Sequence, residues 1–488
     1  VSRRRNGVAA GALIAAAWAL PVAAQEQPTP AAASEWPAAP GQPEPLRMLL
    51  PTPAEEDWSF LKDPGTRTDP FDVVKYVPLG GDGYVSFGGQ AKAQVEYYRN
   101  AALGQSPGRD AYGLFRLDLH ADVHPDPNWR LFVATQSATV SGRRGGPRAI
   151  IDRNELDLLE GFVEWHGGFD DQLKGPATAI RIGRQQLDFG AGRILSSLGG
   201  PDGVGTNVLQ GFDGPRAIVR RRLLRVDFLA TKPTEPRPGV FNDGWVRGGG
   251  LWGAYATWGG APGSPMPGID AYYIGTRREQ ATFFSARGPE TRHSLGLRAS
   301  RKQTPFEYDV EGTYQVGRVA GRRIAAWSLS GEFSYTFQQA PWSPQPAFRF
   351  GVNSGDKGDG VQRTFFAPFP RGAYFGNSSP IGPSNTTGFE VGLMLHPTKS
   401  VTVKGGTFFF WRTERRDGVY QLFGFPIAPP TNGERYIGTQ PVFQATWKIS
   451  PHLTAVATAE HFSRGAFLKG VPGTRDVDYA AAWLVFQF

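Results

Sequence analysis

Alternation of apolar and polar side chains, recurring from about residue 83 to residue 488, constrains this chain more than any other feature. In 84–98, Val85, Phe87, Ala91, Ala93, Val95 and Tyr97 share one parity, while Ser86, Gln90, Lys92, Gln94 and Glu96 share the other. In 112–124, Phe115, Leu117 and Leu119 oppose Arg116, Asp118 and His120. In 327–337, Trp327, Leu329 and Phe333 oppose Ser328, Ser330 and Glu332. Successive side chains of a strand point to opposite faces, so a period of two defines a sheet with one apolar and one polar side. The 63 glycines, 41 prolines and 12% aromatic content suit many strands joined by turns. Beyond the N-terminus no apolar run is long enough for a membrane helix. A barrel, however, crosses a bilayer with only every second residue on lipid.

A soluble sandwich also alternates, so the connections must discriminate. About eighteen candidate strands, from 83–98 to 477–488, are joined by tight and long connections in turn. The tight ones include His124-Pro-Asp-Pro-Asn128, Arg221-Arg222, 302–305, 397–400 and 449–451; the long ones lie near 188–213, 232–247, 354–386 and 413–437. Short turns on one rim, long loops on the other and an even strand count describe a bacterial outer-membrane barrel. In the last strand Ala480, Ala482, Leu484, Phe486 and Phe488 share a face. A closing aromatic there resembles the insertion signal of outer-membrane proteins, which puts the short turns in the periplasm and the long loops outside. The expected fold is all-β, a transmembrane antiparallel barrel filling 81–488.

Arg3, Arg4 and Arg5 precede an apolar run from Val8 to Leu20 and the small-residue end Val22-Ala-Ala24. This is the pattern of a secretory signal peptide over residues 1–24. Residues 25–80 read as a Pro-rich periplasmic segment, with Pro37, Pro40, Pro43 and Pro45 in a stretch too poor in apolar surface to fold alone. Its parts at 56–63 and 71–76 are candidates to plug or staple the barrel end.

The chemistry of an enzyme is not evident. Absence of cysteine excludes disulfides, thiolate metal sites and cysteine nucleophiles. The seven histidines show no metal-ligand spacing, and neither a nucleophile elbow nor a phosphate loop occurs. A net charge of +8, from 52 basic and 44 acidic residues, is mild and carries no nucleic-acid signature. No catalytic residue, metal or cofactor is expected.

Several short motifs stand in a fixed order: Glu56-Asp-Trp58, Gly88-Gly89, Arg181-Ile-Gly-Arg-Gln-Gln-Leu187, Gly190, Arg193 and Phe212-Asp-Gly214. They continue with Asn353-Ser-Gly-Asp-Lys357, Phe366-Ala-Pro-Phe-Pro-Arg-Gly-Ala-Tyr-Phe-Gly376 and Asn385. In these the chain, from about Glu56 to Phe488, resembles the alginate export family of outer-membrane barrels. Many members of that family carry Gly-Pro-Asn-Val-Arg before Phe-Asp-Gly; here Gly205-Thr-Asn-Val-Leu-Gln210 puts Leu209 in the arginine's place. The resemblance implies a passive channel for an anionic polysaccharide such as alginate or its oligomers. Its surroundings would be outer-membrane lipid and lipopolysaccharide, with periplasmic secretion partners. Alternatives are a porin for other small solutes or, further off, an outer-membrane hydrolase or an anchor.

A wet pore selects by the charges of its wall, and arginine forks match carboxylates. The candidate solute path is Lys92, Arg116, Arg181, Arg184, Arg193, Arg225, Arg298 and Arg349, with Asp118, Glu160, Glu164 and Asp213 as acidic partners. By parity Lys404, Asp309, Glu311, Glu332 and Glu390 also face inward. Any of these charges can equally serve as a structural pair in the wall. Arg184 shares the parity of Ile180 and Ile182. It must sit at a bulge or above the lipid band, because an arginine facing mid-bilayer costs about 2–4 kcal/mol. Arg143, Arg144 and Arg148, with the pairs Arg277-Arg278, Arg322-Arg323 and Arg415-Arg416, are expected in extracellular loops. The 354–386 stretch is a candidate constriction, and Glu164 with His166 either a cation site or a polar wall pair.

Overall fold

The computed structural model describes residues 49–488 except 147, 149, 171–174, 198, 200–202 and 261–265. The expected signal peptide, and the Pro-rich stretch before residue 49, lie outside the described residues.

Eighteen long strands follow one another around the barrel. They are β1 (Gly83–Ala101), β2 (Ser106–Asp126), β3 (Trp129–Ser141), β4 (Asn154–Asp170), β5 (Gly175–Gln185) and β6 (Phe212–Arg221). Next come β7 (Leu224–Glu235), β8 (Gly250–Gly259), β9 (Gly268–Thr282), β10 (Arg287–Arg301), β11 (Phe306–Val319) and β12 (Arg322–Tyr335). The last six are β13 (Gln345–Asn353), β14 (Thr386–Thr398), β15 (Val401–Arg412), β16 (Tyr436–Lys448), β17 (Leu453–Arg464) and β18 (Val477–Gln487). Each pairs antiparallel with its sequence neighbours, and β18 returns to β1, from Gln90 opposite Gln487 to Arg99 opposite Asp478. Closure leaves no strand edge unpaired, the condition for placing a sheet in hydrocarbon.

The two parities separate as the alternation requires. Val95, Ile182, Leu297 and Val391 point outward and are 57–66% exposed, whereas Lys92, Gln94, Arg181 and Arg298 point inward and are buried. Outward-facing Trp129, Trp165, Trp258, Phe306, Tyr335 and Trp447 sit where strands meet the short-turn rim. Rings of this kind mark a membrane interface. At the other rim the strands run further than the alternation alone indicates. Arg277 and Arg278 lie within β9 and Arg322 and Arg323 within β12, which corrects their expected loop placement. Ladder pairing carries on past the apolar belt, as in Arg278 opposite Glu290 and Arg318 opposite Arg323.

Gly183 on β5 and Gly214 on β6 face each other across the ladder, with φ of +140° and +153°. A Cβ would lie 2.2 Å from the Gly161 carbonyl oxygen at the first and 2.3 Å from that of Ala230 at the second. The glycines of the Arg181–Leu187 and Phe212–Gly214 motifs are therefore required by backbone geometry.

The core of the molecule is inside the barrel. In its long-loop half, Leu187, Ile194 and Leu195 from residues 186–211 pack with Phe365 and Phe366 from residues 354–385 and with wall residues Leu251, Ile274 and Ile324. The two loops are also joined by backbone bonds: Phe369 N donates to Ile194 O at 3.1 Å, Ser196 N to Phe369 O at 2.8 Å, and Arg371 N to Gly192 O at 2.7 Å. In the short-turn half, residues 49–76 pack against the wall. Ala54 lies among inward-facing Phe132, Ala134 and Phe162 with Leu159 and Leu209. Trp58 and Leu61 pack with Tyr76 and Tyr84. Lys75 Nζ, 3.4 Å from Glu56 Oε2, and the Phe71 ring against Phe488 hold this segment in place.

Candidate functional site: the charged lumen

Inward parity on adjacent strands collects much of the lumen charge into two groups. The first spans β2 to β7 around the N-terminal segment. Arg181 Nε donates to Glu164 Oε2 at 2.7 Å, and Arg130 is held by Asp122 at 2.7 Å. Asp227 pairs with both Arg216 (2.7 Å) and Arg225 (2.8 Å). Glu55, carried by the N-terminal segment, lies 3.5 Å from Arg181, 3.7 Å from Arg216 and 3.9 Å from Arg225.

The second group spans β9 to β15 beneath the two inward loops. Arg193, from residues 186–211, reaches Asp309 at 2.6 Å, Glu311 at 3.0 Å and Glu332 at 3.3 Å. Arg298 is clamped between Asp270 and Asp309, both at 2.5 Å. Arg371, from residues 354–385, meets Glu332 at 3.3 Å, and Arg349 lies between Glu332 (3.4 Å) and Glu390 (3.5 Å). Lys404 is 3.4 Å from Glu390. These four are the more exposed members of the group: the side chains of Glu332, Arg371 and Lys404 are 30–33% exposed and that of Arg349 is 21%. Tyr374 and Phe375 complete a recess lined by Arg193, Glu332, Arg349 and Arg371.

The remaining candidates are placed as follows. Lys92 is buried over the Trp483 ring at 5.6 Å. Arg116 is held by Asp118 at 2.9 Å, by the Gln90 side chain, and by the Thr206 carbonyl at 3.2 Å, so it anchors the 186–211 loop to the wall. Glu160 accepts from the Gln186 backbone at 2.9 Å. Glu164 binds both Arg181 and His166, the latter at 2.7 Å, which makes the Glu164–His166 pair part of the wall. Among the described residues no group of three or more acids and histidines is placed to hold a metal ion.

Arg184 and Asp213 require a correction to the lumen path. They are opposite each other at the long-loop ends of β5 and β6, on the parity of exposed Ile180 and Ile182. Arg184 Nε donates to Asp213 Oδ1 at 2.8 Å and its Nη1 to Leu158 O at 2.9 Å; Trp245 Nε1 donates to Asp213 at 2.7 Å. The neighbouring strand bulges at Leu159, where Glu160 and Leu158 pair with consecutive residues of β3. This pair ties the 236–249 loop to the rim and does not line the pore.

The candidate path drawn from the alternation omits other lumen residues. Arg130, Arg216 and Arg220 have inward parity and were recoverable from it. Arg371 and Glu55 lie in segments without any period: Arg371 is marked only by its place in the candidate constriction, and Glu55 by nothing local.

An eighteen-stranded closed barrel with an apolar belt, one aromatic girdle and a charged, loop-narrowed interior defines an outer-membrane channel. The chain belongs to the alginate export family, whose model matches residues 83–481. Its location is the bacterial outer membrane, and the family and the barrel point to a channel rather than an enzyme. The short turns are thus periplasmic and the long loops extracellular. No curated protein matches the sequence. Solved structures share the fold at low identity. OccK9 (OpdG) of Pseudomonas aeruginosa matches at 8% identity and TM-score 0.56, over 83% of this chain and 98% of that one. OccAB1 of Acinetobacter baumannii matches at 12% and 0.53, over 82% and 96%. OccK2 (OpdF) of Pseudomonas aeruginosa, solved in complex with glucuronate, matches at 8% and 0.52, over 83% and 98%. The family motifs at 353–357 and 366–376 fall in or next to the inward-folded 354–385 loop, and Asn385 ends it.

Proposed function

We propose that this channel passes carboxylated saccharides, an anionic polysaccharide such as alginate or its oligomers, by passive diffusion. The observation that carries the reading is the convergence of Arg349, Arg371 and Lys404 on a partly exposed stretch of lumen. There they outnumber Glu332 and Glu390. Guanidinium groups in such a place bind a passing carboxylate by two parallel hydrogen bonds, while the wall acids keep the attraction weak enough for release. Membership in the alginate export family supports the same substrate class, as does the uronate bound to one structural neighbour.

A second reading, a porin for small acidic solutes, draws support from the loops. Described parts of the 186–211 and 354–385 loops pack inside the extracellular half of the barrel, which favours monomers and short oligomers over a thick chain. One experiment addresses both. Single-channel current is recorded with added oligouronate and with monomeric glucuronate, for wild type and for Arg371→Ala. Blockade by both sugars, with Arg371→Ala weakening it about tenfold, is the expected result for loss of a charge-assisted pair. Blockade by the monomer alone selects the second reading. Equal currents with and without either sugar would remove the acidic-saccharide proposal.

A further inference from the structure

We propose that Arg181, Arg216, Arg220 and Arg225 form a carboxylate-binding site in the barrel wall, which Glu55 of the N-terminal segment occupies and an incoming carboxylated solute takes over. The proposal rests on the reading of the channel as one for acidic saccharides and adds to it a defined site with an internal occupant.

The four arginines come from three consecutive strands and face one another in register. Arg181 of β5 is opposite Arg216 of β6, and Arg220 of β6 is opposite Arg225 of β7. Like charges directly opposite across a ladder repel, so an arrangement of this kind needs anions between its members. The wall supplies Glu164 to Arg181 and Asp227 to Arg216 and Arg225, all at 2.7–2.8 Å. That still leaves donors over. Arg220 Nε and Arg181 Nη1 are buried without a hydrogen-bond partner.

Glu55 stands at that surplus, and on different terms from the wall acids. Its distances to Arg181, Arg216 and Arg225 are 3.5, 3.7 and 3.9 Å. These exceed hydrogen-bond length, so its carboxylate compensates charge without a directional bond to any of the three. Burial opposes the Glu55 charge, but Arg181, Arg225, Arg216 and Arg220 outweigh it and hold the carboxyl below the ordinary glutamate value. The occupant is therefore an anion at neutral pH. What seats it is the adjacent Ala54 in its apolar pocket with Phe162 and Leu209. Arg181 also stacks on the Phe162 face at 3.9 Å. A loosely held carboxylate above unsatisfied guanidinium donors, on a segment separate from the wall, is an exchangeable occupant. An acid able to make two short bonds competes with it.

The test uses the intact barrel in planar bilayers with sodium glucuronate as the probe, and Glu55→Gln, which leaves every strand untouched. Removing the Glu55 charge lowers the occupancy that a ligand must overcome. Glu55→Gln is expected to raise single-channel conductance and to lower the glucuronate concentration for half-blockade by about tenfold. Arg220→Ala placed on Glu55→Gln is expected to reverse the gain in blockade, with heat-modifiable gel migration checking that the barrel is folded. If Glu55→Gln leaves conductance and half-blockade at wild-type values while glucuronate still blocks, the site is refuted and the acidic-saccharide channel stands. If glucuronate blocks neither protein, both are refuted. If Arg220→Ala leaves the tightened blockade intact, the ligand binds elsewhere and the assignment fails.

Discussion

Single residues fix the shape of the wall before they fix its chemistry. Gly183 and Gly214 hold opposed left-handed conformations where neighbouring strands leave no room for a Cβ. Gly183→Ala forces both a positive φ on an L-residue and a 2.2 Å approach to the Gly161 oxygen. The expected cost is about 1–3 kcal/mol, read as a lower midpoint for the heat-induced mobility shift on gels. Arg181, two residues earlier, shows how much of the site could be read from the chain. Its inward parity follows from outward Ile180 and Ile182, and the structure has it buried on that side. Parity says which side of the wall a charge is on, but not whether water reaches it. Arg298 and Arg349 have the same parity, yet Arg298 is enclosed by Asp270 and Asp309 while Arg349 stays partly open. That difference is made by loops packed against the wall, which no local period encodes.

At the scale of elements, the extracellular loops act as internal structure. Residues 354–385 are pinned to the 186–211 loop through Phe369 and Arg371, and to β17 through Glu460, which accepts from Asn377 N at 2.7 Å and Ser378 N at 3.1 Å. Asp417, in the 413–435 loop, accepts from Asp356 N at 2.9 Å and from Thr364 Oγ1 at 2.6 Å. A segment tied at so many points is held inside the barrel. Replacing residues 357–383 with a short Gly-Ser linker is expected to raise single-channel conductance by about twofold or more, because pore width and wall charge set the current. Unchanged conductance with a folded barrel would show that the narrowest point lies elsewhere. The length of this loop, its place among the family motifs and its candidacy as a constriction were legible in the sequence; the path it takes inside the barrel was not. The Gly-, Pro- and Phe-rich composition permits many paths, and the one taken depends on partners such as Ile194, Leu195 and Ile324, distant along the chain.

For the whole molecule, the alternation together with the short and long connections and the closing aromatic strand was enough to define a closed sheet, since a strand with lipid on one side and water on the other has only one stable arrangement of its side chains. Interior charge, by contrast, is a sum that single strands do not reveal. Arg193, Arg298 and Arg116 are matched by wall acids at short range and add little field along the pore. Beneath the two inward loops, the partly exposed groups placed to act on a solute are Arg349, Arg371 and Lys404 against Glu332 and Glu390. A small cationic excess in a narrow, partly desolvated passage favours anions, and salt shortens its reach from about 10 Å at 0.1 M to about 3 Å at 1 M. Reversal potentials under a KCl gradient are therefore expected to show anion preference at low salt that fades towards equality at high salt. Lys404→Gln combined with Arg349→Gln is expected to abolish the low-salt preference. Cation preference in the wild type, or a preference indifferent to salt, would mean that buried charges set the field and that the exposed group does not govern passage.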